Sequence, residues 1–319
     1  MQHQERKGDM RKQYLKAMFV WAFLLTMAIP CWAGITGNHF TNGGDGIKTA
    51  SAPPPGTYYR LYNQFYSSDD LMDGSGDELD VDFDVFVFAN VHRLIYYPGW
   101  KVLGADFLSN IVIPVVYTDL EVGATGVDDD DWSIADIFVE PVALSWHGER
   151  WDAVYGMGVW VPVGPCDGNR PAYPGKDYWT AMFSAGGTVY LDTAKTWSAS
   201  ILGRYEIHTN KQGEDLRAGD DFHFEWGIGK ALPSSWKMGP LQFWEVGVAG
   251  YAQWQVTDDR GDDVTWDKDE HDRVFAVGPE IRCMIPQWKL LLELRCEKEF
   301  GAVDRSEGLM TAFVLTKAF

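Results

Sequence analysis

Cysteine is rare in this chain, four residues in 319, and the shortage excludes two architectures. Cys166, Cys283 and Cys296 follow the N-terminal region as an odd number without metal-ligand spacing, which supports neither a disulfide framework nor a zinc site. Positive charge is also scarce. Against 46 Asp and Glu stand 27 Lys and Arg, a formal net charge of −19, so the chain repels nucleic acid. Beyond residue 33 no apolar run is long enough for a membrane helix, and a membrane-spanning form of this chain must be a barrel. A nucleophile elbow, a metal motif and a Gly-rich phosphate loop are missing as well, and no cofactor or metal is implied.

Aromatic residues, in contrast, make up 14% of the chain, with 15 Trp and 14 Tyr. Both join an apolar ring to a polar handle and are enriched at membrane interfaces, although a large aromatic core would use them too. Residues 1–33 read as a secretory signal peptide. Arg11, Lys12 and Lys16 precede an apolar run from Ala17 to Ile29, and Cys31-Trp32-Ala33 places a small residue before a cut ahead of Gly34. Its removal takes away five basic and two acidic residues and moves the net charge from −19 to −22. Residues 34–56, with Asn42-Gly43-Gly44-Asp45-Gly46 and Pro53-Pro54-Pro55-Gly56, are too rich in Gly and Pro for regular structure. They read equally as a periplasmic lead-in folded into a barrel mouth, plugging it, and as a disordered linker.

Residues 57–319 carry period-2 alternation, which in a strand sends successive side chains to opposite faces. Leu79, Val81, Phe83 and Val85 alternate with Asp80, Asp82 and Asp84; Trp288, Leu290, Leu292, Leu294 and Cys296 alternate with Gln287, Lys289, Leu291, Glu293, Arg295 and Glu297. About twelve strands follow from the alternation and turn rules, near 57–66, 78–93, 100–117, 133–147, 151–163, 178–191, 196–209, 220–231, 240–257, 272–285, 287–300 and 308–319. Short connections such as Tyr97-Pro98-Gly99 and Gly148-Glu149-Arg150 alternate with long polar ones such as Thr118 to Trp132 and Asp258 to His271. That alternation predicts an all-β, antiparallel, up-and-down transmembrane β-barrel of the bacterial outer-membrane type. A soluble barrel would turn its polar face outward, and its core would not bury the acids and bases that fill one face of these strands.

Several fragments, in order and spacing, resemble the bacterial family of meta-pathway phenol-degradation proteins, regarded as outer-membrane transporters. They include Pro53-Pro54-Pro55-Gly56-Thr57-Tyr58, Asp136-Ile137-Phe138-Val139-Glu140-Pro141, Pro162-Val163-Gly164-Pro165-Cys166-Asp167, Tyr205-Glu206-Ile207-His208-Thr209-Asn210, Gly250-Tyr251-Ala252-Gln253-Trp254-Gln255 and Gly278-Pro279-Glu280. Val163 stands where the family pattern suggests Thr. The resemblance implies an outer-membrane barrel for uptake of small hydrophobic or aromatic compounds.

Parity selects the inward face: Arg204, Glu206 and His208; His223 and Glu225; Glu245, Gln253 and Gln255; Glu280 and Arg282; Glu293, Arg295 and Glu297. Such residues line a pore or brace its wall as cross-strand ion pairs. On the last strand Phe313, Leu315 and Phe319 share the outward parity, and a terminal Phe resembles the signal read by the barrel-assembly machinery. The expected partners are thus outer-membrane lipid, that machinery and a small hydrophobic or aromatic solute, with no nucleic acid.

Two other functions fit residue types in the chain. A hydrolase with a lumenal or rim active site has Ser200, His208 and nearby acids available, but eight residues along one strand place Ser200 and His208 about 26 Å apart, at about 3.3 Å per residue. A structural or adhesive barrel would work through the acidic runs Asp128–Asp131 and Asp258–Glu270, expected on outside loops. These lack the ligand order of a calcium loop and read as solvated charge.

Overall fold

A computed structural model describes residues 37–167 and 170–319; the signal peptide expected over 1–33 lies outside the described residues. The strands are β1 (Gly56–Ser68), β2 (Phe83–Tyr97), β3 (Lys101–Val102), β4 (Ala105–Val122), β5 (Val127–Ile134), β6 (Ile137–His147), β7 (Trp151–Val161), β8 (Thr180–Tyr190), β9 (Trp197–His208), β10 (Asp221–Ala231), β11 (Gln242–Gln255), β12 (Arg273–Ile285), β13 (Leu290–Val303) and β14 (Leu309–Ala318). All pairings are antiparallel and, up to the closure of the ring, join sequence neighbours, except that β2 pairs with β4 and β4 with β6 across the short β3 and β5. β14 returns to β1, from Tyr58 opposite Ala318 to Ser67 opposite Leu309, and closes the ring. Because β3 is a short ribbon and β5 and β6 share one position in the wall, the closed barrel has twelve staves.

The break between β5 and β6 has a local cause. Pro114 interrupts β4 and has no N–H to give to a ladder. β4 pairs with β6 before it, over 106–112, and with β5 after it, over 115–122. The Pro114 carbonyl accepts the N–H of Ala135 at 3.0 Å, at the corner between the two strands. Asp128–Asp131 therefore belong to β5, opposite Thr118–Glu121, which corrects the expectation of a loop there. Alternation of these acids with their neighbours had been masked by the run of four.

From β7 round to β14 the outward face is apolar: Trp151, Met157, Phe183, Val189, Ile201, Ile207, Ile228, Val248, Val277, Ile281, Leu294 and Phe313 are among its exposed side chains. At the long-loop end Phe222, Trp254, Phe275 and Phe300 stand in a row, with successive ring centroids 6.2, 5.4 and 5.8 Å apart. Trp100, Trp197, Trp236 and Trp288 are exposed at the opposite end. An apolar band between aromatic girdles is the surface a bilayer requires. Phe319 continues the outward row of β14, and its N–H reaches the Thr57 carbonyl at 3.1 Å.

β2 departs from the expected polarity on its inner face. Phe83, Val85, Val87, Ala89 and Val91 point into the barrel with Arg93, while Asp84, Asn90 and His92 point out among Phe86, Phe88, Leu94 and Tyr96. The outward amides are satisfied in the wall, Asn90 Nδ2 donating to Asn63 Oδ1 at 2.8 Å.

Candidate functional site

Inside the barrel runs the Gly- and Pro-rich stretch that precedes β1. Residues 38–52 pass from the long-loop end, where Asn38 Oδ1 accepts from Gln253 Nε2 at 3.0 Å, to the short-turn end, where Ser51 Oγ donates to Asp152 Oδ2 at 2.8 Å. Gly and Pro deny this stretch a ladder of its own, so its backbone groups need partners elsewhere, and the wall supplies them. Glu206 accepts the N–H groups of His39 and Phe40 at 2.6 and 3.0 Å; Glu225 accepts that of Asp45 at 3.0 Å, and Glu280 that of Ile47 at 2.8 Å. Arg295 donates to the carbonyls of Gly43 and Gly44 at 3.0 and 2.6 Å, and Arg282 to that of Ile47 at 2.7 Å.

Side chains of the segment enter the same network. Asp45 lies 2.7 Å from Arg204 and 3.3 Å from Arg60; Lys48 lies 2.8 Å from Glu245. Arg204 also bonds Glu225 at 2.8 Å, Arg60 bonds Glu293 at 3.1 Å and Arg295 sits 3.4 Å from Glu280. Buried charges are tolerable when they are paired and hydrogen-bonded in this way. Glycine allows the approach: a Cβ on Gly227 of β10 would lie 2.8 Å from Ile47 Cα, and one on Gly46 would lie 1.8 Å from Glu280 Oε2.

The structure turns inward all of the residues that parity selects. Arg204, Glu206, His208, His223, Glu225, Glu245, Gln253, Glu280, Glu293, Arg295 and Glu297 are buried, and Gln255 and Arg282 are half-buried. Most of them touch the segment and not open solvent. Gln255 instead serves its own loop, donating to the Thr257 carbonyl and Asp259 Oδ1 at 3.0 Å each. Glu297 has no hydrogen-bond partner.

Between the segment and the wall of β1, β2, β4 and β6 lies a cavity of about 520 Å³, within the range of small-molecule sites. Val85, Val87, Val91, Val116, Leu120 and Phe138 form its apolar side. Toward the short-turn end it meets polar groups that sequence reading missed: Arg93 donates to Asn110 Oδ1 at 3.1 Å and to Tyr62 Oη at 3.2 Å, and Asn110 Nδ2 donates to Glu140. The available signal was a lone basic or acidic residue on an otherwise apolar strand face, as at Arg93 in β2 and Glu140 in β6.

Neither serine beside a histidine makes a usable hydrolytic centre. Ser200 Oγ accepts the Ala50 N–H at 3.0 Å and contacts Thr188, while His208 faces Thr180 and Asp221. A second chain, Ser145 Oγ to His147 Nε2 at 3.1 Å and His147 Nδ1 to Asp152 Oδ1 at 2.9 Å, has the order of a nucleophile, base and orienting acid. Ser145 is 0% exposed and does not line the cavity, so a substrate carbonyl has no route to its Oγ. At the long-loop end Asp272, beside Arg305 at 3.5 Å, is nevertheless pushed up to about 7 by burial.

Comparison with known proteins agrees with this architecture. The family model described as "Putative MetA-pathway of phenol degradation" matches residues 68–314. An outer membrane channel from Pseudomonas putida F1 superposes with a TM-score of 0.72 at 11% identity, covering 88% of this chain and all of that one. The β domain of the Bordetella autotransporter BrkA gives a TM-score of 0.47 at 12% identity, over 83% of this chain and 99% of that one. None of the curated proteins matches the chain.

Proposed function

This chain belongs to the phenol-degradation family whose model covers residues 68–314, and from that premise we propose that it is an outer-membrane channel for small hydrophobic or aromatic compounds. The observation that carries the reading is the cavity between the segment and the apolar faces of β2 and β4. A porin for polar solutes needs a wet lumen. Here residues 38–52 fill much of the charged half of the lumen, and the space left is bordered on its β2 and β4 side by Val, Leu and Phe, with Arg93 and Glu140 toward the short-turn end. An aromatic solute loses little by leaving water for such a wall, whereas a sugar or an ion would leave its hydration unreplaced.

In this reading the apolar outer face contacts lipid, the long loops face outward and the short turns lie on the periplasmic side. Phe319, with Phe313 and Leu315, is the segment offered to the assembly machinery, and its place beside Thr57 at the closing seam suits that role. The protein acts by passage and not by catalysis. Proteoliposomes containing the purified protein should take up a labelled aromatic compound faster than protein-free vesicles of the same lipid; equal rates would overturn the proposal.

A further inference from the structure

The segment meets the wall at one point through chemistry that hydrogen bonding alone leaves incomplete. His39 of the segment and His208 of β9 both direct Nδ1 at the same hydroxyl, Thr180 Oγ1, each at 2.7 Å. Their far nitrogens are held by carboxylates: His39 Nε2 lies 2.9 Å from Asp136 Oδ2, and His208 Nε2 lies 3.1 Å from Asp221 Oδ2. Asp136 also accepts the backbone N–H groups of Val163, Gly164 and Lys176. It is therefore an acceptor, and His39 must give it the Nε2 proton, which leaves Nδ1 bare.

If His208 is held by Asp221 in the same way, its Nδ1 is bare too. Thr180 has one hydroxyl hydrogen and can serve only one of the two. The cluster needs one further positive charge, a proton or a metal ion. Glu206 stands beside it, and ligand atoms from His39, Glu206 and His208 lie within 4.8 Å of one another. Asp136 and Asp221 close the cluster on its two outer sides.

A second observation points the same way. His223 is fully buried, neither of its ring nitrogens has a hydrogen-bond partner, and its Nε2 is 3.5 Å from Glu206 Oε1. An unpartnered, fully buried imidazole thus faces the Glu206 carboxylate at the edge of the cluster. His39 lines the cavity, which offers an ion a path in.

We propose that His39, His208 and Glu206 bind a divalent transition-metal ion of the Zn²⁺ class, with Thr180 Oγ1 or a water in the fourth position. Two imidazoles and a carboxylate suit Zn²⁺ and Co²⁺ better than Ca²⁺ or Mg²⁺. Asp136 and Asp221 fill the outer role common in such sites, fixing each ring through its other nitrogen. Ligands around tetrahedral Zn²⁺ are about 3.3 Å apart, so the cluster contracts by roughly an ångström or more on binding. One ligand comes from the segment and two from the wall, so the ion fastens residues 38–52 to β9. The spacing of His39 from Glu206 and His208 hides this set from any motif search.

The test uses protein purified from membranes in detergent and washed with chelator. Titration with Co²⁺, followed by visible absorption, and with Zn²⁺, followed by calorimetry, should show one ion per chain. His39→Ala, which alters the segment and no part of the wall, should abolish that binding while the heat-modifiable gel migration of the folded barrel is unchanged. Zn²⁺ should also slow hydrogen exchange in residues 38–52 severalfold in the parent protein and not in the variant. No stoichiometric binding by the parent would overturn the proposal and leave the cluster to a proton; undiminished binding by His39→Ala would overturn it in favour of the acidic loops.

Discussion

The two halves of the lumen are built on opposite principles. On β9 to β13 the charged and amide residues that face inward are Arg, Glu, His and Gln, and Glu206, Glu225, Gln253, Glu280, Arg282 and Arg295 among them bond the backbone or side chains of residues 38–52. On β2 and the long-loop half of β4 they are Val, Leu, Phe and Ala, the segment stands off, and a cavity remains. Polar groups demand partners at fixed distances and so draw the chain against the wall. Apolar groups demand only the exclusion of water, which an oily solute satisfies as well as a protein segment does. On the proposed function the charged half is the latch and the apolar half the passage.

The strongest way to break this contrast is to remove the latch's occupant. Deleting residues 38–52 exposes both walls to water, and single-channel recording should show ion conductance rising by about tenfold as the lumen approaches the open state of larger barrels. A subtler disruption leaves the segment in place. Arg295→Met removes the donors to Gly43 and Gly44 and strands Glu280, which is 3% exposed. Breaking a buried pair on one side costs about 3–5 kcal/mol, so protease should release the segment much more readily, with the barrel's own melting less affected.

On the opposite wall, Val116→Asp should lower uptake of an aromatic solute severalfold while leaving the segment's protease resistance unchanged. Together with Arg295→Met it separates passage from latch. The smallest expected effect lies outside the lumen. Asp304, after β13, is pushed up to about 8 by burial and by Glu270, Asp272, Asp259 and Asp73, and its N–H donates to the Asp73 carbonyl at 3.0 Å. Folding keeps its proton on, so its contribution to stability is whole below the ordinary carboxylate value near 3.8 and is lost as pH rises toward about 8. Proteolysis in the 69–82 loop should increase from about pH 5 to about pH 9 in the parent, and much less in Asp304→Asn, whose side chain suits the left-handed backbone at φ 52°.

Much of the barrel is legible in the chain because alternation and connection length are local. The strand expected at 196–209 is Trp197–His208, and that at 272–285 is Arg273–Ile285. Parity also turns the charged positions of β9 to β13 inward, since a charge on the lipid face would cost about 2–4 kcal/mol at the midplane. The same rule misleads at β2, where Val85 and Val87 face in and Asp84 faces out, near the long-loop rim. The rule assumes a polar inner wall, and this stretch of the inner wall is apolar.

What local pattern does not carry is which groups meet across the lumen. Nothing near His39 announces Thr180, Glu206 or His208, and nothing near Gly43 announces Arg295. A Gly- and Pro-rich stretch without a ladder is compatible with a linker or a plug; only the wall's unsatisfied carboxylates and guanidinium groups distinguish the two. Pro114, in contrast, sits openly in β4, but its effect depends on which neighbour lies on its N–H side.

The most direct measurement compares two solutes of similar size, an aromatic hydrocarbon and a sugar, in proteoliposomes made with the parent protein and with the 38–52 deletion. The account predicts that the aromatic compound crosses with the segment in place, and that the sugar crosses at an appreciable rate only when the segment is gone. Sugar passage through the parent at the rate of the aromatic compound, or aromatic passage that requires the deletion, would contradict it.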